Sequence, residues 1–509
     1  MNRSSIKGFI LSSIFYLLSS ILNPQSSCAQ ETTKILLDQA DGWKYNKALG
    51  QDIQRIIGNV IMHHDSAFLY CDSAYLNEVA NSVIAFGNVH VKLSDTLNLY
   101  GDSLYYDGNT KIARIKSNVK LIDNETILTT DTLVYFRILQ IAQYDYWGKI
   151  VNDDNVLVSK HGYYYTEKKE FFFKHKVILI NPDYTMHSDT LMYNTVTKTS
   201  YFYGPSDIKS KEDSIYCENG WYNTEQDIAR FSKRAIIFHG EQSLTGDSMY
   251  YERRTGYGQV FKNAILYDSV KNIILNGNYG EIQRDIGFAF MTDKAVAIMI
   301  DKKDSLFVHS DTIKATFDSA QNINNIFFYY KGKFYRNDLQ GMSDSMTYHG
   351  ADSVITMYRE PVIWSEKNQL TADSIKLTIR NGQIDSLVMY SSAFIVSEDD
   401  SNNYNQVKGR DMVGYIKNNE LYKIRVVGNA ETIYFVREED HTLIGINKAI
   451  ASDMLIFLEN KEVKTITYID RPIATLYPEK EIPPLDLKLK GFKWITERRP
   501  LKKSDVFIW

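Results

Sequence analysis

The sequence predicts an all-β protein built as an elongated, solenoid-like repeat array. Three observations predict this class. A short motif, seen most fully as Gly101-Asp102-Ser103-Leu104-Tyr105-Tyr106, returns about every thirty residues, and self-similarity at such a period marks stacked architectures. The residues two and four places after its Asp are mostly large and apolar or aromatic, while the residue between them varies; this period of two belongs to strands with one buried face. The composition, with 36 Tyr and 24 Phe against 9 Pro in 509 residues, also suits strands. A single compact core rarely grows to this length, whereas a repeat unit need only bury its face against its neighbours.

Copies of the motif start at Asp41, Asp72, Asp102, Asp131, Asp189, Asp213, Asp247, Asp311, Asp344, Asp373, Asp411 and Asp453, with two further copies at His161 and Gly280 that lack the Asp. A second marker falls midway between copies, as Gly58-Asn59-Val60, Gly87-Asn88-Val89, Ser117-Asn118-Val119, Lys262-Asn263-Ala264, Glu360-Pro361-Val362 and Gly428-Asn429-Ala430. After it Val89 and Val91 alternate with His90 and Lys92, so a second strand is expected there. Turn residues separate the two kinds of strand, for example Asp107-Gly108-Asn109 and Asp123-Asn124-Glu125. Each repeat is therefore read as a hairpin. Its strands are long for a flat sheet, and a bend or bulge is expected at the Asp-Ser and Gly-Asn markers.

Three segments follow in chain order. Residues 1–29 carry Arg3 and Lys7, an apolar run over 9–22 and then Ser27-Cys28-Ala29, the plan of a signal peptide cleaved after Ala29. Export of the mature chain is the expectation. Residues 30–470 hold the array. Residues 471–509 form a tail with Pro472, Pro478, Pro483, Pro484 and Pro500, made basic by Lys488, Lys490, Lys493, Arg498, Arg499, Lys502 and Lys503. Cys71 and Cys217 lie several repeats apart, roughly 48 Å along such a stack, too far for a disulfide.

With 58 Lys and Arg against 62 Asp and Glu the chain has no basic surplus for nucleic acid. It has no Gly-rich phosphate loop, nucleophile elbow, Cys-x-x-Cys pair or His-Glu-x-x-His. His63-His64-Asp65 reads as a turn, and one Asp per repeat supplies too few oxygens for a calcium ladder. No enzyme, metal site or cofactor is expected.

The alternation of Gly87-Asn88-Val89-His90-Val91 with Gly101-Asp102-Ser103-Leu104-Tyr105-Tyr106, then Ser117-Asn118-Val119-Lys120-Leu121 and Thr130-Asp131-Thr132-Leu133-Val134-Tyr135, resembles the OstA-like proteins, among them LptA and the soluble part of LptD. The resemblance implies a β-jellyroll, a V-shaped stack of bent antiparallel strands whose apolar interior takes the acyl chains of lipopolysaccharide. It implies further a periplasmic role toward the outer membrane, as a bridge or assembly component. The partners it implies are lipopolysaccharide or a related lipid, proteins of the same fold joined by edge-strand pairing, and an LptD-type outer-membrane translocon. On this reading the inward positions Trp43, Tyr45, Val89, Val91, Leu104, Tyr106, Leu133, Tyr135, Leu191, Tyr193, Met249, Tyr251, Met346 and Tyr348 line the lipid groove. The alternative is an exported structural or carbohydrate-binding β-solenoid in which the same side chains fill a closed core.

Overall fold

The computed structural model describes residues 33–45, 52–301, 304–380, 383–400, 403–417, 420–438, 440–459, 462–478 and 481–509. The signal-peptide segment, with Cys28 and Ala29, lies outside them. The described residues are almost entirely antiparallel strand and fall into two compact units, one to Ile150 and one from Val151.

The first unit is a run of long strands in chain order: Ile53–His64, Ala67–Asn77, Ser82–Lys92, Leu97–Asp107, Ile112–Asp123 and Thr126–Phe136. Each pairs with the next, and every pairing slips register at a marker, for example between Phe86 and Val89 and between Tyr100 and Ser103. Gly58-Asn59, Gly87-Asn88 and Ser117-Asn118 all have positive φ, so two residues are pushed out of the ladder and the strand turns a corner. The repeated Asp holds that corner from the neighbouring strand. Asn59, Asn88 and Asn118 donate from Nδ2 to Asp41, Asp72 and Asp102 at 2.8, 2.9 and 2.7 Å. Bent in this way, each strand gives one half to either side of a common interior. Leu36–Gln39 and Gly42–Tyr45 both pair with Ile53–His64 and form the terminal edge.

The second unit opens with the same architecture, from Glu170–Asn181 through Tyr184–Asn194, Thr199–Ser210, Asp213–Asn223, Ile228–His239, Gln242–Glu252 and Tyr257–Asp268 to Ile273–Gln283. At two of its corners another side chain stands where the Asn was, His175 Nδ1 lying 3.6 Å from Asp189 and Arg234 pairing with Glu218, while Asn263 still donates to Asp247 at 3.1 Å. The pair of Arg234 and Glu218 corrects the motif at Asp213. Asp213 begins its strand beside a hairpin turn, and the register slip falls between Tyr216 and Asn219. Glu218 therefore holds the corner, and Tyr222, not Cys217, is the residue four places on. At His161 the copy begins one residue earlier, so that Gly162 and Tyr164 are buried and Tyr165 is half-buried. A slip of one residue exchanges the two faces of a strand.

From Phe288 onward the strands break outright at the markers, and two separate ladders result. One contains Leu306–His309, Gly332–Arg336, Leu339–Ser343, Val362–Ser365, Asn368–Thr371, Ala393–Asp400 and Asn403–Gly409. The other contains Thr312–Phe317, Ile323–Tyr329, Ser345–His349, Val354–Tyr358, Ser374–Arg380, Gln383–Tyr390 and Asp411–Lys417. Glu420–Arg437 pairs with the end of both. Val308 and Phe334 of the first ladder share a small apolar cavity with Phe328, Met346 and Leu377 of the second, so the ladders face each other.

The outer face of the first ladder is not wet as the repeat pattern predicts. Met342, Val362, Trp364, Phe394, Val396, Ile433 and Phe435 are buried on it, because the C-terminal tail lies across them. Ile482, Leu489, Phe492 and Trp494 pack on Phe394, Val396, Ile433 and Phe435, and Ile495 packs on Trp364. The strands themselves run on to Ile473–Tyr477, past the expected limit at 470.

Both described cysteines are buried. Burial pushes the Cys71 thiol up to about 11 and the Cys217 thiol up to about 12, so neither forms the reactive thiolate near neutral pH. A chain starting at Gln30 should take up no maleimide at pH 7 until denaturant is added; fast labelling of the native protein would contradict this packing.

Candidate functional site

The interior of both units is built from the inward residues of the repeat. Val89, Val91, Leu104, Leu133, Tyr135, Leu191, Tyr193, Met249, Tyr251 and Met346 are buried there, and Tyr106 and Tyr348 are half-buried. Trp43 and Tyr45 are not interior: they are 65% and 49% exposed. They sit on the terminal strand of the described residues, among which no earlier repeat covers them.

Most of the space between the half-sheets is filled. The cavity lined by Met62, Leu69, Val91, Leu99, Leu104 and Tyr135 holds about 40 Å³, and that beneath Phe328 and Phe334 about 20 Å³. A cavity of roughly 150 Å³ is what admits a benzene molecule. Around these cavities, among the described residues, the interior is packed, and it closes along a seam where two rows of hairpin turns meet.

Side chains close that seam. In the first unit the turn after Ile53–His64 presents His64, Asp65 and Ser66, opposite Lys111 and Arg137 from the other row. Lys111 Nζ donates to Asp65 Oδ2 at 2.8 Å, and Arg137 Nη1 to the same oxygen at 3.1 Å and to the His64 carbonyl at 2.9 Å. Thr33 donates to Asp65 Oδ1 at 2.6 Å, and these bonds hold the Asp65 carboxyl at about 2. His64 is buried, its Nδ1 2.6 Å from the Tyr106 hydroxyl, and desolvation lowers its pKa, so it adds no positive charge at neutral pH. The rim therefore carries two cations to one carboxylate.

The second unit repeats the device. Lys198 bonds Asn152 Oδ1 at 2.8 Å and pairs with Asp153, while Arg253 lies 3.9 Å from Asp183 and from Asp227. Buried tyrosines bring their hydroxyls to the same seam: Tyr193 to Asn152 at 3.3 Å, Tyr222 to Asp227 at 2.6 Å and Tyr251 to Asp213 at 3.2 Å. Burial raises the pKa of all three phenols. They serve as neutral donors in place of water.

The inward face could be read from the sequence, but the seam could not. The recurrence of a Lys or Arg at turn positions, as at Lys111, Arg137, Lys198, Arg253 and Arg284, was the available signal. Nothing in the spacing says that these turns face acidic ones. Among the described residues no cluster of three or more His, Cys, Asp or Glu could hold a metal ion, and no helix is long and apolar enough to cross a membrane.

Comparison with known proteins supports the resemblance over part of the chain: residues 32–189 match the family model described as OstA-like protein. Among solved structures the chain is similar to LptH, the LptA homologous periplasmic component of the conserved lipopolysaccharide transport device from Pseudomonas aeruginosa. The match has 11% identity and a TM-score of 0.22, over 28% of this chain and 99% of that one. No curated protein matches.

Proposed function

We propose, from the OstA-like match over residues 32–189, that this chain is an exported, non-enzymatic lipid-transport protein of the periplasm. It takes acyl chains of lipopolysaccharide or a related lipid into the interior and serves as a bridge or assembly component toward the outer membrane. The observation that carries this reading is the seam. The apolar interior is closed along it by side-chain bonds such as Lys111 to Asp65 and Lys198 to Asp153, and ion pairs that still reach water in this way contribute only modestly each. Parting them would expose apolar surface worth about 25 cal/mol per Å² to a lipid tail. Because the cavities are small, the tail enters only as the seam opens and interior side chains move aside.

Photo-crosslinking in living cells tests the proposal, with the probe in turn at the inward positions of Tyr106, Tyr135, Tyr193 and Tyr251 and at outward Tyr105. Lipopolysaccharide adducts are expected at the inward positions alone. Absence of adducts from protein shown to be folded would overturn it.

The end strands suit the expected partners. Leu36, Leu37, Trp43 and Tyr45 at one end and Ile469, Ile473 and Leu476 at the other are exposed apolar residues on edge strands. Such edges join other sheets by strand addition. Prolines placed in both end strands should abolish pairing with a protein of the same fold, such as an LptD-type translocon; undiminished partner binding would rule the edges out.

One observation favours the alternative of a carbohydrate-binding solenoid. Tyr329, Tyr358 and Tyr390, one per repeat, are each about 40% exposed, and the first two border an open groove of about 790 Å³ with Asp344, Arg359 and Asp373. Glycan binding without any lipid adduct would establish that reading.

A further inference from the structure

The unit-1 seam has a charge imbalance that its own residues leave in place. Lys111 and Arg137 are only 20% and 17% exposed, yet share the single carboxylate of Asp65. Both cations also border the apolar cavity, together with Met62, Leu69 and Tyr135. Two partly desolvated cations over an apolar slot match an amphiphile whose anionic head carries close to two charges and whose tail is hydrocarbon.

We infer that Lys111 and Arg137 form a binding site for the phosphomonoester of an acylated lipid, and that Asp65 occupies this site when the lipid is absent. The inference rests on the transport reading and names the ligand chemistry at its seam. A phosphomonoester carries about −1.5 to −2 charge near neutral pH and would balance both cations, which Asp65 does not. The Arg137 guanidinium can hold two phosphate oxygens at once, and Lys111 adds a point charge. Ser66 Oγ, 3.3 Å from Arg137 Nη2, supplies a hydroxyl beside them. In the empty protein Asp65 spares the cations the cost of an unpaired partly buried charge. It sits at a hairpin tip with its side chain 27% exposed, so it can turn to water when phosphate displaces it. Phosphate binding thereby loosens the seam, because the Lys111 and Arg137 bonds to Asp65 are ones the lipid head replaces.

Equilibrium binding to the full mature chain tests this, with diphosphoryl lipid A, the same lipid after phosphatase treatment, and inorganic phosphate as probes. Lys111→Gln and Arg137→Gln should each weaken diphosphoryl lipid A about tenfold or more, the loss of one charge-assisted bond, and leave the dephosphorylated lipid unaffected. Asp65→Asn should bind the phosphorylated lipid several-fold more tightly than wild type. If Arg137→Gln does not fold, Lys111→Gln and Asp65→Asn decide the matter alone. Equal affinity of wild type and folded variants for both lipids would overturn the site and leave the transport reading standing. Wild type that binds neither lipid would overturn both, and tight binding of inorganic phosphate without lipid would show the site to serve a free anion.

Discussion

Truncation after Pro478 is expected to turn the second unit into an aggregating, protease-sensitive protein. The tail covers the outer face of one ladder, where Trp364, Phe394, Val396, Ile433 and Phe435 are at most 5% exposed. Returning side chains of this size to water costs about 1.5–3 kcal/mol each, so uncovering even part of the face approaches the 5–15 kcal/mol that stabilises an ordinary domain. Three buried glutamines fix the tail in register. Gln406 accepts from Leu489 N at 2.9 Å and donates to the Leu487 carbonyl at 2.8 Å. Gln369 accepts from Ile495 N and donates to the Lys493 carbonyl, both at 2.7 Å. Gln340 accepts two bonds from Arg499, at 2.9 and 2.7 Å. Replacing Gln406 or Gln369 by Leu strands backbone groups of the tail, and replacing Gln340 strands the Arg499 guanidinium; each should cost about 1–3 kcal/mol, a graded version of the truncation. Dye binding to exposed apolar surface and limited proteolysis read both effects. A truncated chain that stays monomeric and resistant would show that the tail is an ornament.

Gly87→Val should unfold or strongly destabilise the first unit. Gly87 has a φ of 74°, and a Cβ there would lie 2.3 Å from Asp72 Oδ2. A β-branched residue in this conformation costs about 1–2 kcal/mol before any clash, and Asp72 must also give up its bond to Asn88. The expected loss is about 3 kcal/mol, which lowers the Tm of a unit this size by roughly 10 °C or more. Asp72→Ala, which leaves Gly87 its conformation and removes only the brace, should cost about 1 kcal/mol. If Gly87→Val melts like wild type, the corner is not held as described.

Much of this molecule was legible in its sequence because the repeat is a local pattern. The inward positions from Leu104 to Met346, the turns and the bends at Gly58-Asn59 and Gly87-Asn88 follow from a period of two interrupted by residues suited to positive φ. At two places the signal is local and the cause is not. Asp213-Ser214 looked like the motif, but pairing with the next strand puts the corner at Glu218 opposite Arg234. Trp43 and Tyr45 have inward spacing and face water because burial needs a neighbour as well as a pattern. The seam and the tail depend on residues far apart in the chain: Asp65 meets Arg137, and Gln340 meets Arg499. The sequence by itself determined strand, face and corner, since these follow from alternation and backbone sterics within a few residues. Only the tertiary structure decided what closes the interior and what covers the outer face, since an ion pair or a buried glutamine acquires its partner from how distant segments pack.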